Sequence, residues 1–162
     1  MRARRAGWVA ASAAAAALTG TVPAGAVGAV GAAAPEADVA FHGFTSMWEG
    51  DLGIWLTPEN HGPSDVSDVT VRLRFSTGLA TVQGHLPESC LRAGSRVVLC
   101  RTGELRAGGW GEELQLDLKL KGKPSEVTVQ IDTLWNGGAS DDNPKNNQHK
   151  VTTLDSGDSY FF

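Results

Sequence analysis

The sequence predicts an all-β fold, two antiparallel sheets packed face to face, preceded by an export leader. Three observations carry this. Apolar residues recur at every second position in several separate runs, which is the period of a strand with one buried face. Turn-rich stretches punctuate those runs. No amphipathic helical segment of about 12 residues separates them, which disfavours parallel α/β architectures.

The leader comes first. Met1-Arg2-Ala3-Arg4-Arg5 is a short cationic stretch, Ala6 to Val22 is uncharged and rich in Ala, and Pro23 follows. That is the order of a secretory signal. Small residues fill Ala24-Gly25-Ala26 to Ala32-Ala33-Ala34, so the cut is expected between about residues 26 and 34. A retained membrane anchor is the alternative, but Ala and Gly are weakly apolar and the run lacks a basic stop-transfer flank. The expected organisation is therefore a signal peptide and small-residue linker over 1–34 and one β-sandwich domain over 35–162. No later run approaches the roughly 18 apolar residues that span a bilayer. The expectation is a secreted, extracellular chain without stable membrane insertion after signal cleavage.

Charge narrows the partners. The chain holds 14 Lys+Arg against 18 Asp+Glu, and three of those Arg lie in the first five residues, which leaves 11 against 18 in the rest. An acidic domain is a poor match to a polyanion, so nucleic acid is not an expected partner.

The strands follow in order. Weak runs cover Val39 to Phe44 and Leu52 to Leu56. Val69, Val71, Leu73 and Phe75 then alternate with Thr70, Arg72, Arg74 and Ser76. Leu79 to Val82 and Arg96 to Cys100 are weaker. Leu114, Leu116, Leu118 and Leu120 alternate with Gln115, Asp117, Lys119 and Lys121, and Val127, Val129 and Ile131 with Thr128, Gln130 and Asp132. Lys150 to Leu154 closes the set at about seven to eight strands. Glu59 to Ser64, Arg106 to Gly109, Lys121 to Pro124 and Asn136 to Gly138 supply the turns. Four Leu on one face make Leu114 to Leu120 the strongest core strand.

Cys90 and Cys100 are the two cysteines, with nine residues between them. An exported chain meets an oxidising compartment, so they read as one structural disulfide. Two buried thiols or a redox pair are the alternatives, but the spacing is not Cys-x-x-Cys.

Three stretches in order carry a resemblance. Asn60-His61-Gly62-Pro63-Ser64-Asp65 with the strand that follows, Cys90 to Cys100 with Gly103-Glu104-Leu105-Arg106-Ala107-Gly108, and Asp141-Asp142-Asn143-Pro144-Lys145-Asn146-Asn147-Gln148 resemble a repeat domain of bacterial and archaeal surface proteins (domain of unknown function eleven). The likeness spans about residues 50 to 154. It implies an immunoglobulin-like sandwich with a structural or adhesive surface role and no established catalytic residues. The single copy and the inserted Gly109-Trp110-Gly111 point to a free secreted module rather than a stalk.

Function is less legible. His42, His61, His85 and His149 are scattered without a zinc motif, no Gly-x-Ser-x-Gly elbow or phosphate loop occurs, and Glu112-Glu113 and Asp141-Asp142 read as solvated charge. No catalytic residue, metal or cofactor is expected, and the chain reads as a non-enzyme. The oxygen-rich loop from Asp141 to Asn147 has two readings, Asx side chains capping their own turn or a calcium site. The candidate binding residues are Trp55 and Trp110. Trp55 is out of step with Leu52, Ile54 and Leu56, which puts its ring outside, and Trp110 sits between glycines in a turn. Outward aromatics stack on sugars or anchor interfaces. The competing reading has Trp55 closing the sandwich edge and Trp48 and Trp135 as core or rim packing. The expected function is a secreted non-catalytic immunoglobulin-like module with a structural or protein-interaction role at or near the cell surface, with a surface protein as partner. The alternative is a carbohydrate-binding module that takes an extracellular polysaccharide. Tyr160-Phe161-Phe162 ends the chain either as a docked strand or as an exposed apolar patch.

Overall fold

The computed structural model describes residues 33–162. Residues 1–32, nearly all of the expected signal segment, lie outside the described part. The described chain is built of strands: β1 (Glu36–Ala37), β2 (Val39–Trp48), β3 (Asp51–Asn60), β4 (Thr70–Phe75), β5 (Cys90–Gly94), β6 (Val97–Arg101), β7 (Gly109–Trp110), β8 (Leu114–Lys119), β9 (Glu126–Trp135), β10 (Ser140–Asp141), β11 (His149–Leu154) and β12 (Ser159–Phe161).

Two antiparallel sheets form the sandwich. One has the order β11-β9-β4-β6-β5 and the other β12-β2-β3, with β8 and β7 pairing successive parts of β3. With β2, β3 and β8 in one sheet and β4, β9 and β11 in the other, the arrangement is immunoglobulin-like. A short parallel ladder joins β1 to β10 outside the two sheets.

The alternation places the core. Val71, Leu73 and Phe75 of β4, Val127, Val129 and Ile131 of β9, and Leu52, Ile54 and Leu56 of β3 are buried. Leu114, Leu116, Leu118 and Leu120 are buried as well, and Leu116 lies directly opposite Ile54. The sheets are also joined by a polar contact, a hydrogen bond between the fully buried hydroxyls of Thr45 in β2 and Thr153 in β11.

Leu79 to Val82 is not a strand, contrary to its apolar pattern. Leu79 makes one isolated bridge to Leu120, and Val82 is 74% exposed. The reason is that Arg92 donates to the carbonyls of Leu79 and Ala80, the acceptors that a continuing ladder needs. The chain from Leu79 on to His85 lies instead along the free edge of β8, where the Ala80 amide donates to the Lys119 carbonyl and the Asp117 amide to that of His85, both at 2.8 Å. An edge covered in this way offers no template for intermolecular pairing.

Besides the two-residue β1, β7 and β10, two strands have no apolar alternation in their sequence. Cys-Leu-Arg-Ala-Gly of β5 has no apolar periodicity, and its register is marked by Cys90, which faces Cys100 of β6 and is disulfide-bonded to it with the Cα atoms 4.0 Å apart. β12 docks the chain end on β2, with Tyr160 and Phe162 packed against the core and Phe161 turned outward at 75% exposure.

Candidate functional site

The β2–β3 hairpin sets the site. Its turn is Glu49-Gly50, with φ of 52° and 85°, the left-handed pair that a two-residue connection between twisted strands requires. That turn opposes Trp48 to Asp51 and continues Ser46 with Gly53, Phe44 with Trp55 and His42 with Thr57. Since Leu52, Ile54 and Leu56 face inward, those residues stand on the outer face.

The outer face is aromatic along its middle. Phe161 of β12, Phe44 of β2 and Trp55 of β3 lie side by side, with ring centroids 5.5 Å apart for Phe161 and Phe44 and 4.6 Å for Phe44 and Trp55. The Trp55 ring leans over Gly53, where an added Cβ would come within 2.5 Å of its Cη2 atom. Beside this stack is a groove of about 390 Å³, lined by Trp48 and Trp55 with Ser46, Asp51, Gly53, Asp117 and Lys119. Trp48 and Trp55 stand on either side of the Ser46–Gly53 row. Trp48 is 62% exposed, and Lys119 Nζ is 2.6 Å from Asp51 Oδ1. In the other sheet Arg72 and Arg74 converge on Asp132 at 2.8 and 2.6 Å, and Leu91, Leu134, Trp135 and Leu154 are exposed.

Trp55 thus lies outside, as its phase against Leu52, Ile54 and Leu56 predicts, but half-buried under Phe44. Trp110 is 62% exposed at the far end of the same sheet, opposite Glu59. The two do not meet. The tryptophan that joins Trp55 in the groove is Trp48, and neither it nor Trp135, 48% exposed, is a core residue.

Trp110 instead has its ring centroid 5.5 Å from that of His42 and lies opposite Glu59 in register. Glu59 Oε2 is 2.8 Å from His61 Nε2 and 3.3 Å from His42 Nε2. The hydrogen bond to Glu59 raises the His61 pKa above its ordinary imidazole value. Partial desolvation opposes the shift, and the charges of Glu59 and Asp38 add to it. Sequence spacing hides this cluster, because His42 reaches Glu59 only through the hairpin register.

The remaining motifs are structural in detail. Asn60 is buried, donates to the Ser64 carbonyl at 2.8 Å and accepts from the Gly62 amide at 3.0 Å. Gly62 is needed for close approach rather than for a positive φ, since a Cβ there would lie 2.5 Å from the Ala37 Cα. In the acidic loop, Asp141 accepts from the backbone of Asn143 and from the side-chain amide of Asn147, while Asn146 donates to Asp38. The bonds accepted by Asp141 cap the loop internally, and the bond to Asp38, with the Val39 amide donating to Asp141 Oδ2, ties the loop to β2 and its approach. Comparison with protein-family models and with curated proteins gives no match to this chain.

Proposed function

We propose that this chain is an exported, non-catalytic immunoglobulin-like module that holds a partner at or near the cell surface through the outer face of the β12-β2-β3-β8 sheet. The observation that carries the reading is the aromatic row Phe161, Phe44 and Trp55 with Trp48 beside it on one outer face. Rigid aromatics present large contact area at low entropic cost, which suits a binding face. The leader-like residues 1–34, the Cys90–Cys100 disulfide and the resemblance to surface-protein repeats support an extracellular setting.

A second reading, a glycan as the ligand, is favoured by the groove itself. Two indoles flank a floor of Gly53, and Ser46, Asp51, Asp117 and Lys119 offer the hydroxyl, carboxylate and ammonium groups that orient a polyhydroxylated chain. One experiment separates the two readings. The protein is presented to chitin, cellulose and cell-wall glycan fragments and, in parallel, to extracellular protein extracts, alongside Trp48→Ala and Trp55→Ala. Saturable capture of a glycan or of a protein, abolished by both substitutions with thermal midpoints kept, identifies the ligand class. Capture that survives both substitutions removes the groove from the interface.

A further inference from the structure

The sequence places Thr57, Glu59 and His61 at alternate positions, so the last turn of chain in and beyond β3 turns Glu59 and His61 to the same side. Register then brings in the neighbours. His42 opposes Thr57 and lies diagonal to Glu59, and Trp110 of β7 opposes Glu59 on the other flank. Among the described residues this is the group of His, Cys, Asp and Glu side chains able to converge on one ion, with one donor atom from each of His42, Glu59 and His61 lying within 4.8 Å of the others.

We propose that His42, Glu59 and His61 form a surface site for a divalent late transition-metal ion, with Zn²⁺ as the ion that fits. Two imidazole nitrogens and one carboxylate oxygen are the ligand types that Zn²⁺ takes, and nitrogen donors argue against Ca²⁺ or Mg²⁺. The geometry is close to what the ion needs. Tetrahedral coordination with bonds of about 2.0–2.2 Å sets donors about 3.3–3.6 Å apart. The Glu59–His42 separation is 3.3 Å, and the Glu59–His61 separation is 2.8 Å. The Glu59–His61 pair has to open and the His42 and His61 donors, within 4.8 Å of each other, have to settle at the same spacing; His61 has the freedom to do so, its side chain being 45% exposed against 17% for Glu59. Glu59 is the fixed point, and Trp110 packs against the His42 ring and limits its rotation. Three protein donors leave the fourth position to water.

The test uses the full chain without a histidine tag, stripped with chelator and titrated with ZnCl₂ by calorimetry, with imidazole NMR as a second readout. One Zn²⁺ per chain is expected, with shifts at His42 and His61 and none at His85. Losing even an outer partner of a metal site weakens binding about 10–100-fold, so His42→Gln, Glu59→Gln and His61→Gln should each weaken it at least about tenfold, and His85→Gln should leave it unchanged. Cu²⁺ should quench tryptophan emission, and Trp110→Phe should reduce that quench while Zn²⁺ still binds. The absence of saturable Zn²⁺ binding, or binding indifferent to His42→Gln and His61→Gln in variants with wild-type far-ultraviolet dichroism, overturns the site.

Discussion

Phe44 and Trp55 stack across the β2–β3 ladder with ring centroids 4.6 Å apart and planes 12° from parallel. They are directly opposed in register, and such cross-strand aromatic pairs contribute about 0.5–1.5 kcal/mol beyond the area they bury. Phe44→Ala is therefore expected to lower stability by roughly 1 kcal/mol and to uncover one face of the indole. The other described tryptophans, Trp48, Trp110 and Trp135, are exposed already, so a red shift of the emission would report Trp55. An unshifted spectrum in this variant would mean that Phe44 does not cover the ring.

The core on the other side of the same strands sets a larger effect. Leu116 is fully buried opposite Ile54 in the facing strand. Leu116→Ala removes apolar contact and leaves a cavity, at an expected cost of about 2–5 kcal/mol. Urea unfolding measures it, and a midpoint equal to that of the parent chain would contradict the burial.

β8 and β9 show what the sequence makes readable. The every-second-residue pattern of Leu114 to Leu120 and of Val127 to Ile131 identifies which side chains enter the core, because burial of one face is all that period requires. The same pattern is silent on register. Whether His42 neighbours Glu59, or Trp48 shares a groove with Trp55, depends on the Glu49-Gly50 turn, a local conformation that carries no apolar signal. Leu79 to Val82 shows the opposite failure, an apolar run whose Leu79 and Ala80 carbonyls are taken by Arg92 of the next strand, β5.

Asn60 is a buried polar residue with a specific task. Its side chain bridges the Ser64 carbonyl and the Gly62 amide, and holds the loop after β3 closed. Asn60→Ala leaves these groups without partners, and unpaired buried groups cost about 1–3 kcal/mol. Asn60→Asp keeps the acceptor but sets a carboxylate oxygen against the Ser64 carbonyl in a buried site, so it should cost at least as much as Asn60→Ala. An Asp variant more stable than the Ala variant would show that the bond accepted from Gly62 carries the effect.

The proton on His61 is a separate observable in the metal-free chain. Its pKa in the fold is raised above the ordinary value, first by the hydrogen bond to Glu59. A raised folded pKa means that the contact stabilises the fold fully below the unfolded imidazole value and ceases to do so as pH climbs through the folded one. The side chain is nearly half exposed, so solvent screening keeps the consequence for stability small. The titration midpoint itself, read from the ring proton by NMR, should fall towards the ordinary value in Glu59→Gln. A midpoint that stays put would assign the shift to Asp38 instead.

The disulfide acts on the unfolded chain. Cys90 and Cys100 are 10 positions apart and join β5 to β6. Closing a loop of that length removes chain entropy worth about 2–3 kcal/mol. β5 has little else to hold it, since it is an edge strand and its Leu91 is 56% exposed. The double replacement Cys90→Ser with Cys100→Ser is therefore expected to lower stability by about 2–3 kcal/mol. It should also expose the β5 amides to hydrogen exchange before those of β4 and β9. Protection of β5 amides equal to that in the bridged protein would show that hydrogen bonding to β6 alone fixes the strand, and the bond would then be only an entropic tether.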